Sequence, residues 1–273
     1  MIEKTKLEDF QKRAKNVRRN IVEMVYSAKS GHPGGSLSIT DILVALYFSE
    51  LRINVKNPKD ENRDRVVLSK GHCSPALYSV LAEKGFIPEA DLKTFRKIDS
   101  YLQGHPDMKK IPGVDMTSGS LGQGLSVSNG MAIAGKLDNK DYRVYCILGD
   151  GEIEEGQVWE AAMSSSHYKL DNLCVIVDNN NLQIDGRIED VMNPHPIDKK
   201  FESFGFNVIQ INGHNFEEIL DAFEKARNVK GKPTAIIAKT TKGKGISYME
   251  DKAGWHGKAP NEEEYNLALK ELI

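Results

Sequence analysis

Apolar and polar positions alternate along the chain with two different periods. Between residues 7 and 29 the apolar side chains are three or four positions apart, which predicts a long amphipathic helix. Further along, short continuous apolar runs alternate with segments of helical periodicity. The predicted helices are 7–29, 40–51, 74–85, 120–137, 156–168, 215–228 and 261–272, and the predicted strands are 143–148, 173–177, 206–211 and 234–239, with one more in "DRVVLSKGH" at 64–72.

This order of elements predicts the fold class. Strands that are separated by helices pair in parallel, and the helices then cover both faces of the sheet. We therefore predict an α/β fold with a doubly wound, mostly parallel sheet flanked by helices. Because the sequence contains no internal repeat, no low-complexity tract and no convincing linker, residues 1–273 are predicted to form a single domain.

Three long polar loops interrupt the pattern, at 100–119, 185–200 and 240–258. Loops of this length within a compact domain are usually functional or mobile. The third is entered through the lysine-rich run "KTTKGKG" at 239–245, which lacks the spacing of a phosphate-binding Walker motif. We interpret that run as a flexible connection that leads to His256.

The composition bears on whether the protein binds nucleic acid or a membrane. The chain has 37 lysine and arginine residues against 39 aspartate and glutamate residues, so it lacks the basic field that nucleic acid or anionic lipid would select. No stretch approaches the roughly 18 consecutive apolar residues of a membrane span. Cys73, Cys146 and Cys174 are far apart, and two of them lie in apolar runs, which favours reduced thiols. We predict a cytoplasmic protein, with neither nucleic acid nor membrane as a partner.

Two segments rich in glycine or amide groups directly follow predicted strands. "CILGDGEIEEG" at 146–156 places Asp150 between two glycines, and "CVIVDNNNLQIDG" at 174–186 places three asparagines after the next apolar run. Open parallel sheets bind ligands at the carboxyl ends of their strands. A carboxylate, a side-chain amide and a backbone carbonyl at that edge are hard oxygen ligands, suited to Mg²⁺ bound together with a diphosphate. Gly151 allows close approach of the backbone, and N–H groups from Glu152 onward can receive anionic oxygens.

Five further segments contain glycine together with serine, histidine or proline: "SGHPGG" at 30–35, "SKGHCSPALYSVL" at 69–81, "QGHPD" at 103–107, "SGSLGQGL" at 118–125 and "GWHGKAP" at 254–260. The pair "GDG" and "NN" is similar to the signature of thiamine diphosphate enzymes, and the further segments resemble transketolase motifs in the order in which the family has them. The resemblance covers nearly the whole chain. It is to the amino-terminal, diphosphate-binding section of the family, and it implies the thiamine diphosphate-binding fold.

The resemblance implies a metal site. Asp150 and Asn180 would bind Mg²⁺, or Ca²⁺ or Mn²⁺ in its place, through their side chains, and Leu182 would bind it through its carbonyl. Asn180 is preferred to Asn179 and Asn181 because the family's frame counts back from the "IDG" segment that follows.

The resemblance also implies which residues contact the cofactor, thiamine diphosphate. They are Gly119, Ser120, Leu121, Gly151, Glu152, Asn180 and, near the diphosphate, His72 and His256. Transketolases often have proline where this chain has Ser120. A contact made by the backbone would tolerate that change.

Among the seven histidines, the candidates for chemistry are His32, His72, His105 and His256, each beside a glycine in a predicted loop that bears the glycine- or proline-containing motifs above. Imidazoles in such loops fill a core poorly but are well placed to transfer protons near neutral pH. The resemblance implies that His32 and His256 handle protons on the hydroxyl and aldehyde oxygens, and that His105 holds the terminal hydroxyl of the donor. His167 is predicted to pack or cap its helix, and we assign no function to His195 and His214.

The implied activity is the transfer of a two-carbon ketol unit from a ketose phosphate to an aldose phosphate, as in the pentose phosphate pathway. In the family, the glutamate that activates the cofactor and most sugar-phosphate contacts belong to a second, pyrimidine-binding domain. The sequence stops at Ile273, before such a domain. We therefore expect either a fragment or one chain of a split enzyme, and for the latter a separate pyrimidine-binding subunit with two copies of each chain.

Two alternatives stay open. One is another thiamine diphosphate enzyme that acts on ketoses, similar to deoxyxylulose-phosphate synthase or to a specialised sugar transketolase. The other is a non-catalytic regulatory subunit with the same fold, against which the intact set of Asp150, Asn180 and loop histidines argues.

Overall fold

Five parallel strands form one sheet in the computed structural model, which describes residues 2–273. The strands are β1 Arg65–Leu68, β2 Val144–Gly149, β3 Leu173–Asn179, β4 Asn207–Asn212 and β5 Thr234–Lys239. They lie in the order β1-β2-β3-β5-β4, and every neighbouring pair is parallel. The predicted α/β fold with a mostly parallel sheet is therefore confirmed.

Ten α-helices are found within the described residues. They are α1 Lys4–Ala28, α2 Pro33–Ser38, α3 Thr40–Ala45, α4 Ser74–Lys84, α5 Gln123–Leu137, α6 Gly156–His167, α7 Ile188–Val191, α8 Ile197–Ser203, α9 Phe216–Asn228 and α10 Glu262–Glu271. Within residues 2–273, none of the helices combines the length and the apolar character needed to cross a bilayer.

Both faces of the sheet are buried, which explains the continuous apolar runs in the strands. In β2, Tyr145 and Ile147 point into a core that they share with α1, α3, α4 and α9. The alternate residues Val144, Cys146 and Leu148 point into a second core with α5, α6 and α8. Helices on opposite faces thus bury alternate side chains of the same strand.

The strand register aligns three loops at one edge of the sheet. Gly149 at the end of β2 pairs with Asp178 in β3, and Asn179 pairs with Lys239 at the end of β5. Because all these strands run in the same direction, the segments that follow β2, β3 and β5 begin beside one another. The glycine, asparagine and lysine segments of the sequence therefore meet there.

The chain between the predicted helices 7–29 and 40–51 contains a short helix that was not predicted. α2 begins at Pro33, whose fixed φ and missing N–H suit the first turn of a helix. The predicted helix 40–51 begins at Thr40, whose hydroxyl does not cap the helix and donates to the Ser36 carbonyl at 3.0 Å. That helix then widens into a π-helical turn over Leu46–Glu50.

Other predicted boundaries shift where a local signal outweighs the apolar pattern. The helix predicted from residue 120 begins at Gln123, because Gly122 has a φ of 82°, outside the range of a helix. The predicted loop 185–200 contains the short helices α7 and α8. The predicted flexible run at 239–245 is partly buried, and the Gly243 N–H donates to the Gly34 carbonyl at 3.0 Å.

Two glycines of α5 allow a matched test of how closely this helix packs on the sheet. A Cβ added at Gly124 would lie 2.3 Å from the Ser69 side chain and 2.8 Å from the Ser69 Cα, whereas a Cβ added at Gly130 would meet no atom within 4 Å. We expect Gly124→Ala to lower the free energy of unfolding by about 1–3 kcal/mol, because Ser69 would have to move. Gly130→Ala should raise it by about 0.5–1 kcal/mol through helix propensity.

Urea unfolding of the two variants and the parent chain measures both effects. Equal stability of the Gly124→Ala and Gly130→Ala variants would show that α5 does not pack closely against Ser69.

Candidate functional site

Asp150 lies in the turn after β2 and is almost fully buried. Its Oδ1 accepts the Gly151 N–H at 2.9 Å, and its Oδ2 accepts the N–H of Asn181 from the loop after β3. Burial, followed by the nearby Asp178 carboxylate, raises the pKa of Asp150 to about 7. A divalent cation at this position would relieve the cost of burying the charge.

Asp178 in β3 collects donors from several segments. Its carboxylate pairs with the Lys70 ammonium and accepts hydrogen bonds from the Ser38 and Thr240 hydroxyls and, at 3.3 Å, from the Asn180 amide. Burial alone would raise the pKa of Asp178, but the Lys70 ammonium and the hydroxyl donors outweigh burial and hold the pKa below its usual range. Asp178 therefore stays charged and joins four segments.

The two other predicted oxygen ligands lie in the loop after β3. The Asn180 Oδ1 accepts the Leu182 N–H at 3.1 Å, and the Leu182 carbonyl accepts a hydrogen bond from the Lys242 ammonium at 2.9 Å. Asn180 and Leu182 are both buried. The Leu182 carbonyl oxygen therefore already faces one positive charge, that of Lys242.

Lys242 joins the predicted oxygen ligands to the histidines. Its Nζ lies 2.9 Å from the Leu182 carbonyl oxygen and 3.0 Å from the His256 Nδ1, and the residue is 2% exposed. Burial lowers the pKa of Lys242 to about 8, although the Asp150 carboxylate opposes the shift. Sequence analysis missed this residue, because its run was interpreted as a flexible connection.

Three predicted histidines form a triangle. The ring centroids of His32, His72 and His256 are 5.2 to 5.3 Å apart. Burial, followed by neighbouring positive and imidazole groups, lowers the pKa to about 4 for His32 and His72 and to about 3 for His256. The three imidazoles are therefore neutral at neutral pH, and each can donate one hydrogen bond and accept another.

His105 lies at the exposed rim of this cluster. A Cβ added at Gly119 would be 3.4 Å from its ring atoms, so the ring lies directly against the backbone of that glycine. Burial, His72 and Arg96 lower the pKa of His105. The neighbouring Ser120 and Leu121 are exposed, which leaves this stretch of loop open to a ligand.

The side chain of Glu152 is engaged inside the protein. Its Oε1 accepts from the Ser69 hydroxyl and from the Gly122 N–H at 3.0 Å, and its Oε2 accepts from the Gly149 N–H at 3.0 Å. The carboxylate therefore holds three loops together. Any contact of Glu152 with an anionic ligand is left to its backbone N–H, at the first turn of a short helix.

The structure thus brings most of the predicted residues to one place and adds others. Lys70, Asp178 and Lys242 are the ionisable residues that sequence analysis did not assign. Lys70 stands in the quoted "SKGH" segment, and Lys242 in "KTTKGKG", but their partners are far away in the sequence. A sequence motif reveals only residues that are neighbours in the chain. A contact between residues that are distant in the sequence leaves no local pattern.

The donor set suits a metal bound together with a ligand. Among residues 2–273, no group of three or more His, Cys, Asp or Glu side chains could hold a metal ion unaided. Asp150, the Asn180 Oδ1 and the Leu182 carbonyl offer one charge and three hard oxygens, which fits Mg²⁺ that takes further oxygens from a diphosphate and water.

Comparison with known proteins identifies the family to which the chain belongs. Residues 10–272 match the family model described as "Transketolase, thiamine diphosphate binding domain". An apulose-4-phosphate transketolase subunit from Phocaeicola vulgatus is 44% identical over 266 residues, which cover 97% of this chain and 94% of the relative. The 6-deoxy-6-sulfo-D-fructose transketolase subunit SqwG of Clostridium sp. is 44% identical over 264 residues, which cover 97% and 96%.

A solved structure has the same fold. The crystal structure of transketolase from Campylobacter jejuni superposes with a TM-score of 0.91 at 38% identity. The match covers 96% of this chain but 42% of the Campylobacter chain. The chain therefore spans about two fifths of the length of that transketolase.

The lowered pKa of a partly buried imidazole predicts how stability depends on pH. An unfolded histidine has a pKa near 6.5, against about 4 for His72 in the folded chain. Between these values the unfolded chain binds more protons than the folded chain, so stability falls as the pH drops through this window. His72→Gln should therefore lose less stability than the parent chain between about pH 7.5 and about pH 5.

Urea midpoints at the two pH values measure this difference for each protein. His167→Gln is the control, because His167 is exposed at the end of α6, and it should keep the dependence of the parent chain. A His72→Gln variant with the same dependence as the parent chain would contradict the lowered pKa of the His72 imidazole in the folded chain.

Proposed function

The chain belongs to the transketolase family through its thiamine diphosphate-binding domain, and on that premise we propose that it is one subunit of a split transketolase. Together with a separate pyrimidine-binding subunit, it transfers a two-carbon ketol unit from a ketose phosphate to an aldose phosphate. The contact chain from the Leu182 carbonyl through the Lys242 ammonium to the His256 imidazole carries this proposal. It links a metal and diphosphate end to a proton-transfer end within one site.

The lengths of the relatives support a partner subunit. Relatives whose names identify them as transketolase subunits are covered almost completely by the match, to 94% and 96% of their length. The full transketolase of Campylobacter is covered to 42%. We therefore propose that a second polypeptide supplies the pyrimidine-binding part of the active site, in a complex with two copies of each chain.

The metal and diphosphate end is assigned to the loops after β2 and β3. Asp150, the Asn180 Oδ1 and the Leu182 carbonyl would hold Mg²⁺, with Ca²⁺ or Mn²⁺ as substitutes. Backbone groups of Gly151 and Glu152 would contact thiamine diphosphate. Support comes from the buried carboxylate of Asp150, whose raised pKa indicates a charge that lacks sufficient compensation within the chain.

Further contacts with the cofactor are assigned to the loop at Gly119, Ser120 and Leu121 and to the imidazoles of His72 and His256. The exposure of these three loop residues and the neutral state of the two imidazoles support the assignment. Thiamine diphosphate, once bound, supplies the carbanion chemistry of ketol transfer.

The histidines handle the protons of the sugar oxygens. Because the Lys242 ammonium donates to the His256 Nδ1, the ring proton of His256 is on Nε2 and can be donated to an aldehyde or hydroxyl oxygen. His32, 5.3 Å from His256 between ring centroids, can accept or donate at a neighbouring oxygen. His105 at the rim would bind the terminal hydroxyl of the donor.

Specialised sugars are the second candidate substrate. Two relatives with the same 44% identity bear different substrates in their names, apulose 4-phosphate and 6-deoxy-6-sulfo-D-fructose. Because the two names give different donors, they favour neither donor over the other, and they do not place either donor above the ketose phosphates of the pentose phosphate pathway. An assay of the complex must therefore include all three kinds of donor.

Asp150→Asn tests the metal assignment. The substitution removes the formal charge of the proposed cation ligand, so we expect Mg²⁺-dependent binding of thiamine diphosphate to weaken at least about tenfold. Folding should change little, because a neutral side chain relieves the buried charge. Calorimetric titration with thiamine diphosphate in Mg²⁺, with the partner polypeptide present, measures the affinity.

Asp138→Asn serves as the control, since Asp138 is exposed at the end of α5 and should leave the affinity unchanged. Equal Mg²⁺-dependent affinity of the Asp150→Asn variant and the parent complex would overturn the assignment.

The split-enzyme proposal predicts that this chain alone does not transfer a ketol unit. The purified chain, verified by mass and free of co-purifying protein, is assayed in saturating thiamine diphosphate and Mg²⁺. Ribose 5-phosphate is the acceptor, and the donors are xylulose 5-phosphate, apulose 4-phosphate and 6-deoxy-6-sulfofructose. We expect no turnover until a pyrimidine-binding polypeptide is added, because the activating glutamate would be absent.

Robust turnover by the chain alone would contradict the split enzyme. Tight cofactor binding by the assembled complex without turnover of any donor would instead favour the non-catalytic regulatory protein.

A further inference from the structure

A buried ion pair lies behind the candidate site and takes no part in the proposed chemistry. Arg18 of α1 and Asp41 of α3 are 8% and 5% exposed. The Arg18 guanidinium donates to both carboxylate oxygens of Asp41, at 3.0 and 2.7 Å. Burial alone would raise the pKa of Asp41, but Arg18 and His214 outweigh burial and hold the pKa below its usual range. Asp41 is therefore a fixed negative charge.

His214, which follows β4, extends this pair. Its Nδ1 lies 2.7 Å from the Asp41 Oδ2, and its Nε2 accepts the Thr241 N–H at 2.9 Å. A backbone N–H can only donate, so the Nε2 must carry the lone pair and the Nδ1 the proton. The two partners thus hold the imidazole in a single tautomer.

The same cluster holds the loop after β5 on both sides of Lys242. On one side, the Thr241 N–H is bound by His214; on the other, the Lys244 carbonyl accepts from the Arg18 Nε at 3.0 Å. A Cβ added at the next residue, Gly245, would lie 2.9 Å from the Arg18 side chain. The loop therefore lies in direct contact with the ion pair.

We propose that His214 is a positioning residue of the candidate site: through the Thr241 N–H it fixes the backbone that carries Lys242, while Asp41 and Arg18 keep its imidazole in the tautomer that this contact requires. The inference rests on the proposed function in one respect, which is the assignment of Lys242 and His256 to the cofactor site.

The other contacts of the loop make the effect of His214 local. The Gly243 N–H donates to the Gly34 carbonyl at 3.0 Å, and the Lys242 carbonyl accepts the Asp251 N–H at 2.9 Å. These bonds do not involve the imidazole and persist without it. Loss of the acceptor at His214 therefore frees the backbone immediately before Lys242 and leaves the rest of the loop in place.

Two substitutions separate the two bonds of the imidazole. In His214→Asn the amide can still donate to Asp41, but it is too short to reach the Thr241 N–H. In His214→Gln the longer side chain places an oxygen near the former Nε2, where it can again accept that N–H. His167→Asn on the exposed end of α6 is the control.

Hydrogen exchange of the chain without cofactor gives the first readout, by mass spectrometry of peptides that cover residues 240–246. We expect His214→Asn to speed hydrogen exchange in residues 240–246 and to leave exchange in the strands and helices unchanged. His214→Gln should restore the slow exchange of residues 240–246. The second readout is calorimetric binding of thiamine diphosphate in Mg²⁺ to the complex with the partner polypeptide. Loss of one hydrogen bond should weaken binding about tenfold in His214→Asn, with recovery to within about threefold in His214→Gln.

Unchanged exchange at 240–246 together with unchanged affinity in His214→Asn would overturn the inference. Global acceleration of exchange in both variants would also overturn it, since His214 would then support the fold and not the loop. If the parent complex itself does not bind thiamine diphosphate, the proposed function fails, and the exchange experiment still decides whether His214 holds the loop.

Discussion

The buried contact between Asp178 and Lys70 is the interaction on which the arrangement of the site depends. Asp178 also accepts hydrogen bonds from Ser38, Thr240 and Asn180, which belong to three further segments of the chain. A charge buried at the end of a central strand costs several kcal/mol of desolvation unless fixed partners surround it. The donors that compensate Asp178 therefore also hold α2, the "SKGH" loop and the loops after β3 and β5 at one edge of the sheet.

Near this ion pair, two other charged side chains, Asp150 and Lys242, form hydrogen bonds only with neutral groups. The Asp150 carboxylate is bound by two backbone N–H groups, and the Lys242 ammonium by a carbonyl and an imidazole. Their pKa values, about 7 and about 8, are both displaced towards the neutral form, chiefly by burial. A divalent cation beside Asp150 and an anionic oxygen beside Lys242 would stabilise the charged form of each group. A metal bound to a diphosphate offers both within one ligand.

The sequence was sufficient for the fold, and its motifs identified candidate residues that the structure brings together, but it did not reveal their long-range partners. Strong apolar periodicity predicted the parallel sheet. Asp150, which stands between two glycines, and His32, which follows a glycine, were selected as candidates from their neighbours in the chain. The short helices α2, α7 and α8 were missed because so few residues give no periodic signal. Lys242 was misinterpreted because its run contains only polar residues and glycine. Its burial results from contacts with Leu182 and His256, which no local pattern records.

The cations that would attract a diphosphate also set the chemistry of the imidazoles. After burial, the Lys242 ammonium is the largest influence that lowers the pKa of His256, and Lys70 has the same effect on His72. Both imidazoles are thus neutral donors and acceptors. The Lys70 charge is paired with Asp178, whereas the Lys242 charge has no anionic hydrogen-bond partner among the described residues. An anion that neutralises Lys242 weakens the repulsion of a proton on His256, and the proton affinity of that ring then rises. Binding at one end of the site and proton transfer at the other are therefore coupled through a single ammonium group.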